Sequence, residues 1–198
     1  MSNIKKIGIA GAGGIGAYLA SFLFDYGANR NQYPYTDWTV DVFDNDTVDG
    51  SNLLHQNYTE DDLGKNKAEI VAGRYFMTPQ LRFMEPADFK NYDVIFSCVD
   101  SMSFRKKLYQ YGWEHPELYW IDGRCSSRQI GVFNSLVSRK QLEPTLNDSE
   151  EREGCLLRVD KKNKISHATP LIVAGLMQQT FLNHLRGEDI KEKLLLYV

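Results

Sequence analysis

The sequence lacks the features that mark several large classes of protein. No apolar run approaches the roughly 20 residues that a membrane-spanning helix needs, and the N-terminal MSNIKK has no signal-peptide apolar region. The net charge is only −3, which gives no electrostatic reason to expect nucleic acid or an anionic membrane as a partner. We therefore expect a cytoplasmic protein that binds neither nucleic acid nor a membrane.

Cysteine is also scarce. Cys98, Cys125 and Cys155 lie far apart and form no CxxC motif, so neither a zinc knuckle nor a disulfide framework is predicted. Cys98 falls within an apolar run and is interpreted as a core residue. The rest of the composition is ordinary, with 198 residues of which 42% are hydrophobic and 25% charged. This is enough for one core, and we predict a single domain over residues 1–198.

The most informative stretch is GAGGIG, residues 11–16, between a short apolar run and a helical pattern. This order predicts a strand, a tight turn and a helix N-terminus. Glycine suits the turn because it adopts strained backbone conformations and lets a phosphate approach bare amides. The stretch predicts a nucleotide or dinucleotide site but does not distinguish between them. Its candidate binding residues are Gly11, Gly13, Gly14, Ile15 and Gly16.

Strand-like and helix-like patterns alternate along the chain. They predict an α/β fold: a Rossmann-like, doubly wound, mainly parallel sheet with helices on both faces and late strands antiparallel. The predicted strands after the first are residues 38–43, 80–84, 93–99, 118–122 and 129–137, with a last short strand or partner contact in 188–198. The predicted helices cover residues 15–26, 62–75, 103–113 and 170–187, and Asp62 is the expected cap of the second.

Charged residues stand at the positions where such a sheet binds ligands. Asp44 ends the second strand, the position at which nucleotide-binding folds place a ribose-binding carboxylate. The alternative is that Asp44 is a turn residue among acidic neighbours. Lys67 lies one turn inside the predicted second helix. It either reaches back to a nucleotide phosphate as a point charge or is simply a solvated helical lysine. Asp100 ends a buried strand, and both Mg²⁺ coordination and capping of the next helix suit it.

Several motifs occur in a fixed order. A GxGGxG loop is followed by D-x-D-x-V after the second strand, then SNL..Q, D.GK.KA, and C-V-D with Arg105 five residues on. Together they resemble the ThiF/MoeB adenylyltransferases, a superfamily that includes the ubiquitin-activating enzymes. The resemblance runs from Gly8 to about Gly131 and resumes at residues 170–187, where PL..AG is similar to the family's late helix.

The resemblance implies a chemistry. Family members bind ATP with Mg²⁺, and the C-terminal glycine carboxylate of a ubiquitin-like or sulfur-carrier protein attacks the α-phosphate, giving an acyl-adenylate and pyrophosphate. The family also implies a homodimer. Carried over by position, the glycines hold phosphate, Asp44 the ribose, Lys67 the α/β-phosphates and Asp100 the metal. The remaining nucleotide contacts implied are Asp46, Ser51, Asn52 and Gln56.

One departure from the family concerns phosphate neutralisation. The family usually has arginine where this chain has His55, and a neutral histidine neutralises phosphate poorly near pH 7. Three explanations are open: His55 works protonated, Arg105 or Arg30 substitutes for the missing arginine, or the activity is reduced.

A second departure concerns cysteine. The zinc-binding CxxC pairs of many bacterial members are missing, so no structural zinc is predicted. Cys155, in the sequence REGC, lies near where several members keep a catalytic cysteine, and Arg152 and Arg158 could activate its thiol. It is therefore a candidate for thioester formation. Two other functions stay open: an NAD-dependent oxidoreductase, and a non-catalytic partner subunit that keeps the fold.

Overall fold

The computed structural model describes residues 4–28, 38–126, 129–146, 162–163 and 168–197. Seven strands form one sheet in the order β3-β2-β1-β4-β5-β6-β7. The strands from β1 to β5 are parallel, whereas β6 and β7 are antiparallel to their neighbours. Their bounds are Lys6–Ala10 (β1), Thr39–Phe43 (β2), Thr78–Gln80 (β3), Val94–Ser97 (β4), Tyr119–Ser126 (β5), Gln129–Asn134 (β6) and Lys193–Tyr197 (β7).

Helices cover both faces of the sheet. Their bounds are Gly14–Ala28 (α1), Lys67–Tyr75 (α2), Met102–Glu114 (α3), Arg139–Leu142 (α4) and Thr169–Arg186 (α5). The apolar faces of α1, α2 and α5 bury one side of the sheet in a shared core, while α3 and α4 bury the other. The predicted Rossmann-like α/β class is confirmed. No helix in the described ranges is long and apolar enough to cross a membrane.

The late helix begins and ends as its sequence predicts. Pro170 lies in its first turn, where the missing proline N–H is not needed. Gly187 ends it in the left-handed conformation, at φ +66°, and its N–H donates to carbonyls of the last turn. Between these ends, Val173, Met177 and Phe181 are fully buried against the sheet. Pro170 also lies next to Gly14, so this helix begins beside the start of α1.

The strand predicted over residues 80–84 is wrong in position. The strand lies at Thr78–Gln80, and the Arg82 N–H then donates to the Gln80 carbonyl, which turns the chain away from the sheet. The Arg82 guanidinium makes a two-bond ion pair with Asp88, in the following helical turn. Leu81 is left 53% exposed, because its apolar side chain belongs to a turn rather than to a buried strand.

Candidate nucleotide site

The glycine loop joins β1 to α1, and two of its glycines are required by the turn itself. Gly11 has φ +92°, a conformation that residues with side chains rarely adopt, and its N–H donates to the Phe43 carbonyl at 2.9 Å. A Cβ at Gly16 would lie 1.9 Å from the Gly11 carbonyl oxygen. Neither position tolerates a side chain, whatever ligand binds.

Gly13 and Gly14 differ from the other two. A Cβ at Gly14 would lie 3.2 Å from the Pro170 side chain, so this glycine allows α5 to pack against the loop. A Cβ at Gly13 would meet no atom within 4 Å. Gly13 is therefore the loop glycine whose lack of a side chain the protein's own packing does not explain, and the open space beside it suits an approaching phosphate.

Replacing Gly13 by alanine therefore separates binding from folding. The backbone at Gly13 is not in the left-handed region, so the fold should tolerate the methyl group. We expect nucleotide affinity to fall by about tenfold or more, equivalent to about 1.4 kcal/mol, with the unfolding midpoint almost unchanged. The matched control is Gly73→Ala, at an exposed position of α2 that is also open. It should raise the unfolding free energy by about 0.5–1 kcal/mol and leave binding unchanged; equal affinities in the two variants, measured by calorimetry, would contradict the assignment.

Both backbone groups of Ala12, in the glycine loop, make hydrogen bonds to side chains from elsewhere in the chain. One oxygen of Asp44 accepts the Ala12 N–H at 2.7 Å, and the other accepts the Asp46 N–H at 2.8 Å. The Tyr58 hydroxyl donates to the Ala12 carbonyl. Burial raises the pKa of Asp44, although the two amide hydrogen bonds oppose that rise. Asp44 thus ties the loop to β2, and its role in ribose binding stays a prediction.

Lys67 is almost buried and is the first residue of α2, not a solvated lysine one turn inside the helix. Its side chain is 9% exposed, and its Nζ lies 3.4 Å from an oxygen of Asp46, whose own side chain is 59% exposed. The helix is capped by Asn66, which accepts the Glu69 N–H, rather than by Asp62 as expected. The ammonium group is therefore held in place against the mostly exposed carboxylate of Asp46.

Ser51 and Asn52 shape the loop that follows β2. Asp49 accepts hydrogen bonds from the Ser51 hydroxyl at 2.6 Å and from its N–H at 2.7 Å. Asn52 is 7% exposed, and its side-chain oxygen accepts the Asp49 N–H at 3.0 Å. These bonds are local and form the turn at Asn52–Leu54. Phosphate contact by Ser51 or Asn52 stays a prediction.

His55 and Gln56 lie beside the glycine loop. The His55 carbonyl is 3.6 Å from the Cβ position of Gly14, and the His55 Nε2 is 3.4 Å from the Gln56 Nε2. The Gln56 side-chain oxygen is buried without a hydrogen-bond partner. A buried polar group without a partner is costly, so a donor from a ligand would be favoured here.

Of the two arginines considered as substitutes for the missing one, Arg105 lies in the described part of the chain. Arg105 is 5% exposed and its Nε donates to Asp122 at 2.9 Å, which argues against it as a free phosphate-binding cation. Arg30, the other residue considered, lies outside the described residues, as does the candidate nucleophile Cys155.

Asp100 is exposed in the short connection between β4 and α3. The residue that caps α3 is Ser101, whose hydroxyl accepts the Phe104 N–H at 3.2 Å, so the expected capping alternative for Asp100 is wrong. The connection touches the glycine loop, because a Cβ at Gly11 would lie 2.9 Å from the Cys98 carbonyl oxygen. Asp100 therefore lies two residues after Cys98, whose carbonyl contacts the glycine turn.

The described residues fit Mg²⁺ only as a companion of a phosphate ligand. Within the described ranges, no group of three or more histidine, cysteine, aspartate or glutamate side chains could hold a metal ion. Magnesium commonly takes one or two carboxylates and completes its shell with phosphate oxygens and water. Asp100 fits such a single carboxylate, and its role as a metal ligand stays a prediction.

A buried polar cluster that no local sequence pattern predicts lies next to this connection, and we call it the Asp122 cluster. Asp122 is 0% exposed and accepts hydrogen bonds from side chains of three elements. Burial raises its pKa, but the adjacent guanidiniums of Arg105 and Arg124 outweigh that effect and hold the pKa below its usual value. The members are Ser97, Arg105, Tyr109, Asp122 and Arg124.

Solved structures with a similar fold include E. coli MccB with ATP, at 13% identity and a TM-score of 0.70, covering 99% of this chain and 61% of that one. PaaA is similar at 16% identity and a TM-score of 0.67, with the same coverage. The chain thus spans about 61% of the length of these MccB and PaaA structures. Curated protein sequences gave no match. The family model described as ThiF family matches residues 2–197, and the chain therefore belongs to the ThiF family.

Proposed function

We propose that this protein is an ATP-dependent adenylyltransferase. Its substrate is the C-terminal carboxylate of a small ubiquitin-like or sulfur-carrier protein, ending in glycine, or of a peptide. The carboxylate attacks the α-phosphorus of ATP, and an acyl-adenylate and pyrophosphate form. The observation that carries the proposal is the meeting of separate sequence motifs at one edge of the sheet. Asp44 binds the glycine loop, Lys67 contacts Asp46, and the Cys98 carbonyl borders Gly11 ahead of Asp100.

This set of groups suits phosphoryl chemistry better than hydride transfer. A carboxylate is already ionised near pH 7, so it needs no general base before it attacks phosphorus. The chief requirement is neutralisation of charge on the phosphates and in-line positioning. Backbone amides at the start of α1 and the Lys67 ammonium meet that requirement, and Asp44 orients the ribose.

Asp100, together with the phosphates, would hold Mg²⁺, and the metal would supply positive charge for the pyrophosphate leaving group. In the free protein the Lys67 ammonium pairs with Asp46, and in the complex a phosphate takes the place of Asp46. The ammonium is therefore paired in both states. Because Asp46 is mostly exposed, its carboxylate returns to water at little cost. In this proposal Asp46 pairs with Lys67 in the free protein and is not itself the nucleotide contact that the resemblance implies.

Known ThiF-fold structures support the choice of nucleotide and partner. MccB has been solved with ATP, and also with AMPCPP together with MccA. By analogy, this chain would bind ATP and a second polypeptide at the same edge of the sheet. We further propose that residues 1–198 act as one nucleotide-binding domain, in a cytoplasmic homodimer, and that the acyl group of the adenylate then passes to a thiol or another sulfur nucleophile with release of AMP.

One specific observation favours a second candidate function, a partner subunit that binds nucleotide without turnover. His55 replaces the family's usual arginine, and Arg105 is engaged elsewhere. An NAD-dependent oxidoreductase is less well supported, because it would give the SNL..Q and D.GK.KA motifs no role.

ATP–pyrophosphate exchange distinguishes these functions. The purified protein is incubated with a panel of carrier proteins and peptides that differ in their C-terminal residues, and incorporation of labelled pyrophosphate into ATP is measured. We expect exchange with at least one carboxylate and its loss in Asp100→Ala. ATP binding without exchange across the panel favours the partner subunit, whereas NAD binding without ATP affinity overturns the proposal.

A further inference from the structure

The Asp122 cluster saturates the carboxylate of Asp122. One oxygen accepts the Ser97 hydroxyl at 2.7 Å and the Arg105 Nε at 2.9 Å, and the other accepts the Tyr109 hydroxyl at 2.5 Å and the Arg124 Nε at 2.7 Å. Because the carboxylate is fully buried and makes four hydrogen bonds, it does not contact a ligand itself. Its effect on a ligand must pass through the groups that it holds.

Arg105 connects this carboxylate to the proposed site. While its Nε is bound to Asp122, its Nη2 donates to the Val99 carbonyl at 2.5 Å and to the Gly123 carbonyl at 3.2 Å. A guanidinium is planar and rigid, so fixing one edge fixes the direction of the other donors. Val99 immediately precedes Asp100, and the bond therefore fixes the orientation of the peptide that joins Val99 to Asp100.

The connection around Asp100 is held on both sides of that residue. The Cys98 N–H donates to the Ala10 carbonyl at 2.8 Å, and the Cys98 carbonyl borders Gly11. On the other side, Ser101 caps α3. The Asp100 side chain itself is exposed between these anchors, so the backbone is fixed while the carboxylate faces solvent. Such preorganisation of a ligand by surrounding groups strengthens metal binding.

We infer that Asp122, acting through Arg105 and the Val99 carbonyl, positions the Asp100 carboxylate toward the metal-bound phosphates of the nucleotide. Asp122 and Arg105 are positioning residues, since neither contacts the nucleotide. The inference rests on the proposed function, because it takes Asp100 as the carboxylate that faces the Mg²⁺–ATP complex.

The test measures how strongly Mg²⁺ improves ATP binding. The dissociation constant of ATP is measured by calorimetry with excess Mg²⁺ and with excess EDTA, and the ratio gives the gain from the metal. The wild type should show a gain, and Asp100→Asn should lose it. Arg105→Lys keeps the charge but not the planar fork, and it should reduce the gain by about tenfold to a hundredfold. Its affinity for metal-free ATP should be unchanged.

A double variant separates positioning from general support of the fold. If Arg105 acts through Asp100, adding Arg105→Lys to Asp100→Asn should cause no further loss of the metal-dependent gain. A merely structural role predicts that the affinities with and without metal fall together and that the two effects add. That result would overturn the inference.

A milder variant covers the case in which Arg105→Lys does not fold. Tyr109→Phe removes one hydrogen bond to Asp122 while keeping the buried ring, and it should lower the metal-dependent gain in the same direction. The control is Tyr111→Phe, on the same helix, whose ring packs against Phe89 and His115. Equal metal-dependent gains in Tyr109→Phe and Tyr111→Phe would contradict the inference.

The Asp100→Asn variant separates failure of the inference from failure of the proposed function. If Asp100→Asn keeps the metal-dependent gain, the proposed role of Asp100 fails. If Asp100→Asn loses the gain but Arg105→Lys and Tyr109→Phe keep it, the positioning inference alone fails.

Discussion

Replacing Lys67 by methionine is expected to lower the rate of ATP–pyrophosphate exchange by about a hundredfold to a thousandfold, the usual effect of removing one preorganised group that stabilises developing charge. The ammonium is nearly buried and lies 3.4 Å from a carboxylate oxygen of Asp46. Methionine preserves most of the length and apolar character of the side chain, so the packing of α2 should survive. The loss should therefore appear in catalysis rather than in folding.

The matched control for this variant is Lys65→Met. Lys65 is two residues away from Lys67 but exposed, so the Lys65→Met variant should catalyse exchange at the wild-type rate. Exchange measured at saturating ATP, alongside far-ultraviolet circular dichroism, checks both variants. Equal rates for Lys67→Met and the wild type would remove Lys67 from the mechanism, and equal losses in both lysine variants would indicate a general charge effect.

Replacing Asp122 by asparagine is expected to lower the free energy of unfolding by about 3–5 kcal/mol, because it leaves the guanidiniums of Arg105 and Arg124 buried without a counter-charge. This is a large fraction of the roughly 5–15 kcal/mol that stabilises a typical domain. Both arginine side chains are mostly buried, at 6% and 13% exposure, so water compensates them poorly. Urea unfolding at pH 7 measures the loss, and Asp61→Asn, at an exposed acid, is the control that should change stability little.

The same residue predicts how stability depends on pH. The folded-state pKa of Asp122 is lowered, so its contribution is fully present above the ordinary aspartate pKa of about 3.9 and is lost as the pH falls toward the lower folded-state value. The stability difference between wild type and Asp122→Asn should therefore shrink as the solution is acidified below about pH 4. A difference that grows on acidification would contradict the ionised state of Asp122.

The parts of the site that depend on local sequence were predictable. The glycine loop, the strand that ends at Asp44 and the buried strand before Asp100 each combine an apolar run with an end residue, and neighbouring parallel strands bring such ends to one edge. Gly11 and Gly16 show why the motif is specific, since the turn excludes a side chain at both. The resemblance to the ThiF family is confirmed by the family match.

The parts that depend on distant pairing were not predictable. Arg105 was visible as a motif residue, but its partner Asp122 is reached only because β4 and β5 pair with Ser97 beside Asp122. No local pattern contains that register. The short strand β3 was misplaced because apolar Leu81 resembles a core residue, whereas the chain already turns away from the sheet there, through the hydrogen bond from the Arg82 N–H to the Gln80 carbonyl. Asn66 rather than Asp62 caps α2 because both types of residue cap helices and the sequence contains both.

The most direct test of carboxylate attack on the α-phosphorus is to trace the carboxylate oxygen through the reaction. A carrier protein or peptide from the exchange panel is prepared with a C-terminal carboxylate labelled in heavy oxygen, and the reaction with Mg²⁺ and ATP is trapped with hydroxylamine. We expect pyrophosphate and AMP, with one labelled oxygen in the AMP phosphate, because the carboxylate oxygen forms the bond to the α-phosphorus and stays there when the acyl group leaves. AMP without the label, or ADP with labelled orthophosphate, would contradict it.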